Sequence, residues 1–151
     1  MRSAELVLGR RWVVVLEPGE EVLTALRDWA ADVGVVSATV DMFYGAFRGV
    51  RLIASDGPVA DPEPPLPDEV GIAYVEGVGA GSLTTVDGVP RPHLHLSAGV
   101  KDQGGVAYAG HVLSAEAHYT VELVVQEVLA PTFSLRPDPR AHGLAALRFD
   151  S

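Results

Sequence analysis

The sequence predicts an α+β protein, a mostly antiparallel β-sheet with one main α-helix. Three observations lead there. Only one stretch, Glu20 to Val33, carries an apolar stripe at helical spacing: Val22, Leu23, Leu26, Trp29, Ala30 and Val33 fall at i, i+1, i+4, i+7, i+8 and i+11. Several other stretches are β-branched or alternate apolar and polar residues with period two. Turn signals built from Gly, Pro and Asp recur between them. Many strands around one helix give the α+β class.

At 151 residues the chain is long enough to bury a sizeable core, and it reads as one domain over residues 1–151. Hydrophobic content is 48% and mean hydropathy +0.21. No apolar run reaches the ~18–20 residues of a membrane span. The N-terminus has no apolar core and cleavage site of the signal-peptide kind. There are no cysteines, which excludes disulfides, thiolate ligands and cysteine catalysis and fits a reducing cytoplasm. The net charge is −9, from 11 basic and 20 acidic residues, and Lys101 is the one lysine. Affinity for phosphate backbones depends on Lys and Arg, so direct nucleic-acid binding is not expected.

Taken in order, Glu5 to Gly9 and Arg11 to Leu16 read as strands, the second ended by Glu17-Pro18-Gly19. Glu20 and Glu21 suit the positive end of the helix dipole, and Gly34 suits its stop. Val35 to Phe47 reads as a strand with Gly49 to Ala54 as its partner. The run Asp41-Met42-Phe43-Tyr44-Gly45-Ala46-Phe47 is aromatic enough for core, pocket wall or subunit contact. Ser55 to Glu69, with five prolines and five acidic residues, reads as an extended surface loop. Val70 to Glu76 and Gly79 to Val86 read as further strands. Asp87-Gly88 is a hairpin signal. Beyond Ser114-Ala115-Glu116 comes a long strand, Ala117 to Val128. Pro131 to Arg140 reads as irregular, and Leu144 to Phe149 as a short closing strand.

The chemistry concentrates between Pro90 and Leu113, where three of five histidines lie. His93, His95 and Ser97 alternate with Leu94, Leu96 and Ala98. Side chains two apart on a strand leave the same face, with Cα atoms ~6.5–7 Å apart. A three-residue loop of Asp102, Gln103 and Gly104 pairs Lys101 with Gly105 and sets His111 opposite His95. A one-residue slip would send His111 to the other face. In the favourable register His93, His95 and His111 form a plausible first shell for a divalent metal, best zinc, with a fourth place open. His-x-His also occurs on solvent-facing strands with no role.

The order of these pieces resembles the plants-and-prokaryotes conserved domain, or PPC domain. The resemblance rests on Gly9-Arg10-Arg11-Trp12 with Pro18-Gly19-Glu20, and on Asp87-Gly88 followed by His93-Leu94-His95. Gly104, Gly110-His111-Val112-Leu113, Tyr119 to Val124, Leu135-Arg136-Pro137-Asp138 and Gly143-Leu144 extend it. It implies an α+β domain that assembles as a homotrimer. In plants such domains accompany AT-hooks, which enter the DNA minor groove. No such hook occurs here. The histidines match the set that can hold a metal in prokaryotic members. Two positions depart from the family pattern: a glycine-rich stretch is here Asp41 to Gly45, and Val15 stands where an arginine is expected.

Glu122 lies on the polar face of its strand, as a partner orienting an imidazole, a ligand, a general base or a solvated side chain. Ser97 shares the histidine face, but no nucleophile elbow accompanies it. His118 and His142 read as surface residues. Gly77, Gly79 and Gly81 read as sites of close strand packing or a bulge. Two function classes follow. One is a metal-dependent or small-molecule-binding protein. The other is an assembly module, including a regulator that reaches DNA through a partner.

Overall fold

The computed structural model describes residues 2–53, 69–141 and 143–150. Among these residues seven strands and one α-helix run in the order β1 (Val7–Leu16), α1 (Val22–Val33), β2 (Ala38–Ile53), β3 (Val70–Val86), β4 (Val89–Val100), β5 (Ala107–Ala130), β6 (Thr132–Pro137) and β7 (Ala145–Asp150). The main sheet has the order β1-β5-β2-β3-β4, all neighbours antiparallel. A further β4–β5 ladder closes it into a small barrel-like sheet. The weight of the α+β fold is therefore on β. Strands β6 and β7 form a separate hairpin.

Local sequence sets the helix. The Glu21 carboxylate accepts from the Leu23 and Thr24 N–H groups at 3.2 and 2.8 Å, and Gly34 ends the helix at φ 73°. Glu21 also accepts from the Ala115 N–H, which ties the helix start to β5. Val22, Leu26 and Ala30 are buried. Trp29 meets Trp12 of β1 edge-to-face, ring centroids 5.2 Å apart. Among the described residues no helix is long and apolar enough to cross a membrane.

The strands are longer than periodicity suggests. The expected turn at Arg48-Gly49 does not form: β2 runs on as one strand, because β3 and β5 pair with it on both sides. The gap expected at Gly77-Val78 closes in the same way, held by β2 and β4. Ser114 to Glu116 does not interrupt β5 either, since these residues pair with Gly49 to Arg51. The two opening strands are one, with irregular register between Leu8 and Arg11. Pro131 to Arg140, expected to be irregular, contains β6 and part of a 3₁₀ turn. Asp87 and Gly88 both take positive φ, 51° and 76°, as the predicted tight hairpin requires.

Closure also corrects the reading of the aromatic run. Phe43 and Phe47 are fully buried and pack edge-to-face at 6.4 Å, together with Leu94, Leu96, Leu123 and Val125. They are core, so neither they nor Val125 offers a subunit contact. Tyr44, with the opposite side-chain direction, is exposed. Of the acidic loop, Ser55 to Asp68 lies outside the described residues, and Glu69 pairs with Arg51.

Candidate metal centre

His93 and His95 leave the outer face of β4 because Leu94, Leu96 and Ala98 take the buried face. Their partners on β3 are Ser82 and Ala80, small side chains that leave room for imidazoles. The chain turns through a 3₁₀ turn, Lys101–Gln103, followed by Gly104 and Gly105 at φ 65° and 85°. The turn is thus longer than the expected three-residue loop. The register is the favourable one, and His111 faces His95 across the β4–β5 ladder. His111 also pairs with Ile53, the last residue of β2.

The three rings converge. Centroids lie 5.3 Å apart for His93–His95, 4.8 Å for His93–His111 and 5.4 Å for His95–His111. One nitrogen from each lies within 4.8 Å of the others. Two nitrogens bound tetrahedrally to zinc at about 2.05 Å stand ~3.3 Å apart, so an ion would draw the rings inward by ~1.5 Å or less. Small side-chain rotations supply that. His111 Nδ1 is buried and has no hydrogen-bond partner. Burial pushes the His93 and His111 imidazoles below their usual pKa, and the neighbouring imidazoles push the same way. The Leu94 backbone opposes this weakly at His111. Neutral imidazoles are the form that binds metal. The residues present therefore fit a divalent ion.

The other candidates sit elsewhere. Glu122 is in register with Val15 and Tyr44, and its carboxylate accepts from the Tyr44 hydroxyl at 2.5 Å. No described contact joins it to the three imidazoles. The bond to Glu122 raises the Tyr44 pKa. Ser97 is exposed and, with Tyr44, Glu76, Tyr119 and Glu122, lines a groove of about 610 Å³. His118, expected at the surface, is half-buried, with its ring 5.3 Å from Tyr74 and 4.2 Å from Tyr119. His142 lies outside the described residues. The groove escaped sequence reasoning because its walls come from β2, β3, β4 and β5, joined only by the closed sheet.

Comparison with known proteins adds the following. The profile of the Plants and Prokaryotes Conserved (PCC) domain matches residues 4–129. A PPC protein of Pyrococcus horikoshii superposes with a TM-score of 0.79 at 21% identity, covering 97% of each chain. A metal-containing protein of Archaeoglobus fulgidus does so with 0.79 at 22%, covering 98% of this chain and 99% of that one. A Bacteroides thetaiotaomicron protein named for a proposed DNA-binding role gives 0.76 at 22%, covering 97% and 99%. No curated protein sequence gives a match. With the profile spanning most of the sequence, the chain belongs to the Plants and Prokaryotes Conserved domain family, the PPC family that its motifs resemble.

Proposed function

We propose that this stand-alone PPC-domain protein binds one divalent cation, zinc in preference, through His93, His95 and His111. The observation that carries the reading is the convergence of three imidazole nitrogens within 4.8 Å on the adjacent strands β4 and β5. The unpartnered Nδ1 of His111 supports it, as does the fold shared with the metal-containing archaeal protein. Three histidines leave a coordination place for water or a small molecule. The groove lined by Tyr44 and Glu122 offers a small molecule a second contact surface. A metal-bound water would supply a nucleophile near neutral pH.

The protein works as a cytoplasmic homotrimer in this reading. Supporting assembly, the outer sheet face carries exposed apolar side chains: Val13 (68% exposed) and Val15 (51%) on β1 and, on the far side of β5, Tyr44 on β2 with Val78 beside it on β3. Contiguous apolar surface of more than a few hundred Å² is uncommon on monomers. The test of the metal site is elemental analysis of untagged protein prepared without chelator. Less than about a tenth of an equivalent per chain, with no uptake after zinc is added, would exclude the site.

A further inference from the structure

A second charged cluster lies on the β6–β7 hairpin, beyond the residues that match the family. At its centre is Asp138, only 7% exposed. Its Oδ1 accepts from the Arg140 backbone N–H at 3.0 Å and from Arg140 Nε at 3.1 Å. Its Oδ2 accepts from Arg140 Nη2 at 2.8 Å and Arg148 Nη2 at 2.5 Å. Bonds from Arg140 first, then Arg148, hold this carboxyl far below the usual range, so it is ionised at any ordinary pH. One carboxylate thereby holds two guanidinium groups together that would otherwise repel.

A cavity of about 400 Å³ opens beside them, lined by Arg2, Arg140, Leu147, Arg148 and Phe149. A third arginine thus joins the pair. Among the described residues here, three arginines face the single carboxylate of Asp138. That is unusual in a chain of net charge −9. The ion pairs of Arg10, Arg11, Arg27, Arg48 and Arg51 each match one arginine to one carboxylate. A guanidinium carries five N–H donors, and Asp138 and the Leu147 carbonyl engage two on each of Arg140 and Arg148. Among the contacts of the described residues, donors therefore remain on both, in the fork geometry that matches phosphate. Leu147 and Phe149 add an apolar wall.

We propose that this cleft binds a phosphate monoester of a small organic molecule. The phosphate sits among Arg2, Arg140 and Arg148, and the organic part rests on Leu147 and Phe149. A monoester carries close to −2 at neutral pH, which complements the excess of arginines over carboxylates among the described residues.

The test is calorimetric titration of metal-free, full-length protein with phenyl phosphate, inorganic phosphate and phenol in phosphate-free, low-salt buffer. Removing metal separates this site from the histidines. The expected order is phenyl phosphate tighter than inorganic phosphate, with no binding of phenol, and affinity that falls as salt rises. Arg140→Gln should weaken phenyl phosphate at least about tenfold by removing one fork of charge-assisted bonds. Arg140 is 77% exposed, so the fold should tolerate the change. Arg2→Gln, near the chain start, should weaken binding without touching Asp138. Arg27→Gln, whose ion pair is with Asp28, should leave binding unchanged. No heat at about 10 mM phenyl phosphate, weaker than any useful affinity, would overturn the proposal. Phenyl phosphate affinity unchanged from the original protein in both Arg140→Gln and Arg2→Gln would overturn it too.

Discussion

His95 of β4 and His111 of β5 face each other across an antiparallel ladder, and His93 stands two residues before His95 on the same face. The imidazoles are thus brought together by backbone hydrogen bonding. Losing one of them should remove a ligand while leaving the fold intact.

His95→Ala is the cleanest variant, because His95 is exposed. Losing an outer partner of a ligand typically costs 10–100-fold in metal affinity, so losing the ligand should cost about 100-fold or more. Competition against a chelating dye measures this, and unchanged zinc affinity would remove His95 from the site. Acidity should act in the same direction. Burial holds the His93 and His111 pKa values below the usual 6.5, so zinc uptake should persist at pH 6.5 and fall away at lower pH.

The Arg10–Glu127 pair gives an acid-sensitivity prediction. The bonds from Arg10 lower the Glu127 pKa from 4.5 to about 2. In this window the unfolded chain binds more protons than the folded one. Stability from the pair is therefore complete above about pH 4.5 and is lost as pH falls through about 2. Urea midpoints at pH 7 and pH 3 should differ less in Arg10→Gln than in the unchanged protein.

Gly81 links strand packing to the metal centre. A Cβ there would lie 2.1 Å from the His93 carbonyl oxygen and 2.8 Å from Leu94 Cδ2. Gly81→Ala must push β4 outward, costing about 1–3 kcal/mol and moving His93. Both thermal midpoint and zinc affinity should drop. Gly71→Ala on the same strand, where a Cβ meets nothing within 4 Å, should change neither by much.

For assembly, light scattering should give a mass near three times 15.9 kDa. Val13→Asp with Val15→Asp should split the trimer into folded monomers, since both side chains are exposed. Phe43→Asp should instead unfold the chain, because it buries a charge in the core. A folded, fully trimeric Val13→Asp/Val15→Asp protein would move the interface elsewhere.

Duplex DNA should not be bound at ~150 mM salt. Such affinity comes from basic contacts, whereas this chain carries −9 and Arg10, Arg11, Arg27, Arg48 and Arg51 are each paired with a carboxylate. A mobility shift at sub-micromolar protein would contradict this.

Local chemistry decided part of this molecule from the sequence alone. The stripe from Val22 to Val33, the Gly34 stop, the Asp87-Gly88 turn and the alternation from His93 to Ala98 were legible because each depends on residues within a few positions. The His95–His111 register was one of two the sequence allowed, and the folded ladder decided between them, since a one-residue slip would have sent His111 to the other face. Only the tertiary structure decided where strands do not break. Arg48-Gly49 and Ser114 to Glu116 look like interruptions until β2 and β5 pair along their length. Closure of β4 onto β5 decided that Phe43 and Phe47 are core while Tyr44 faces out to meet Glu122. It likewise took the folded hairpin to set Arg148 of β7 beside Asp138 and Arg140. Such pairings join residues far apart in the chain, where loop-closure entropy is repaid only by the whole sheet, so no local pattern records them.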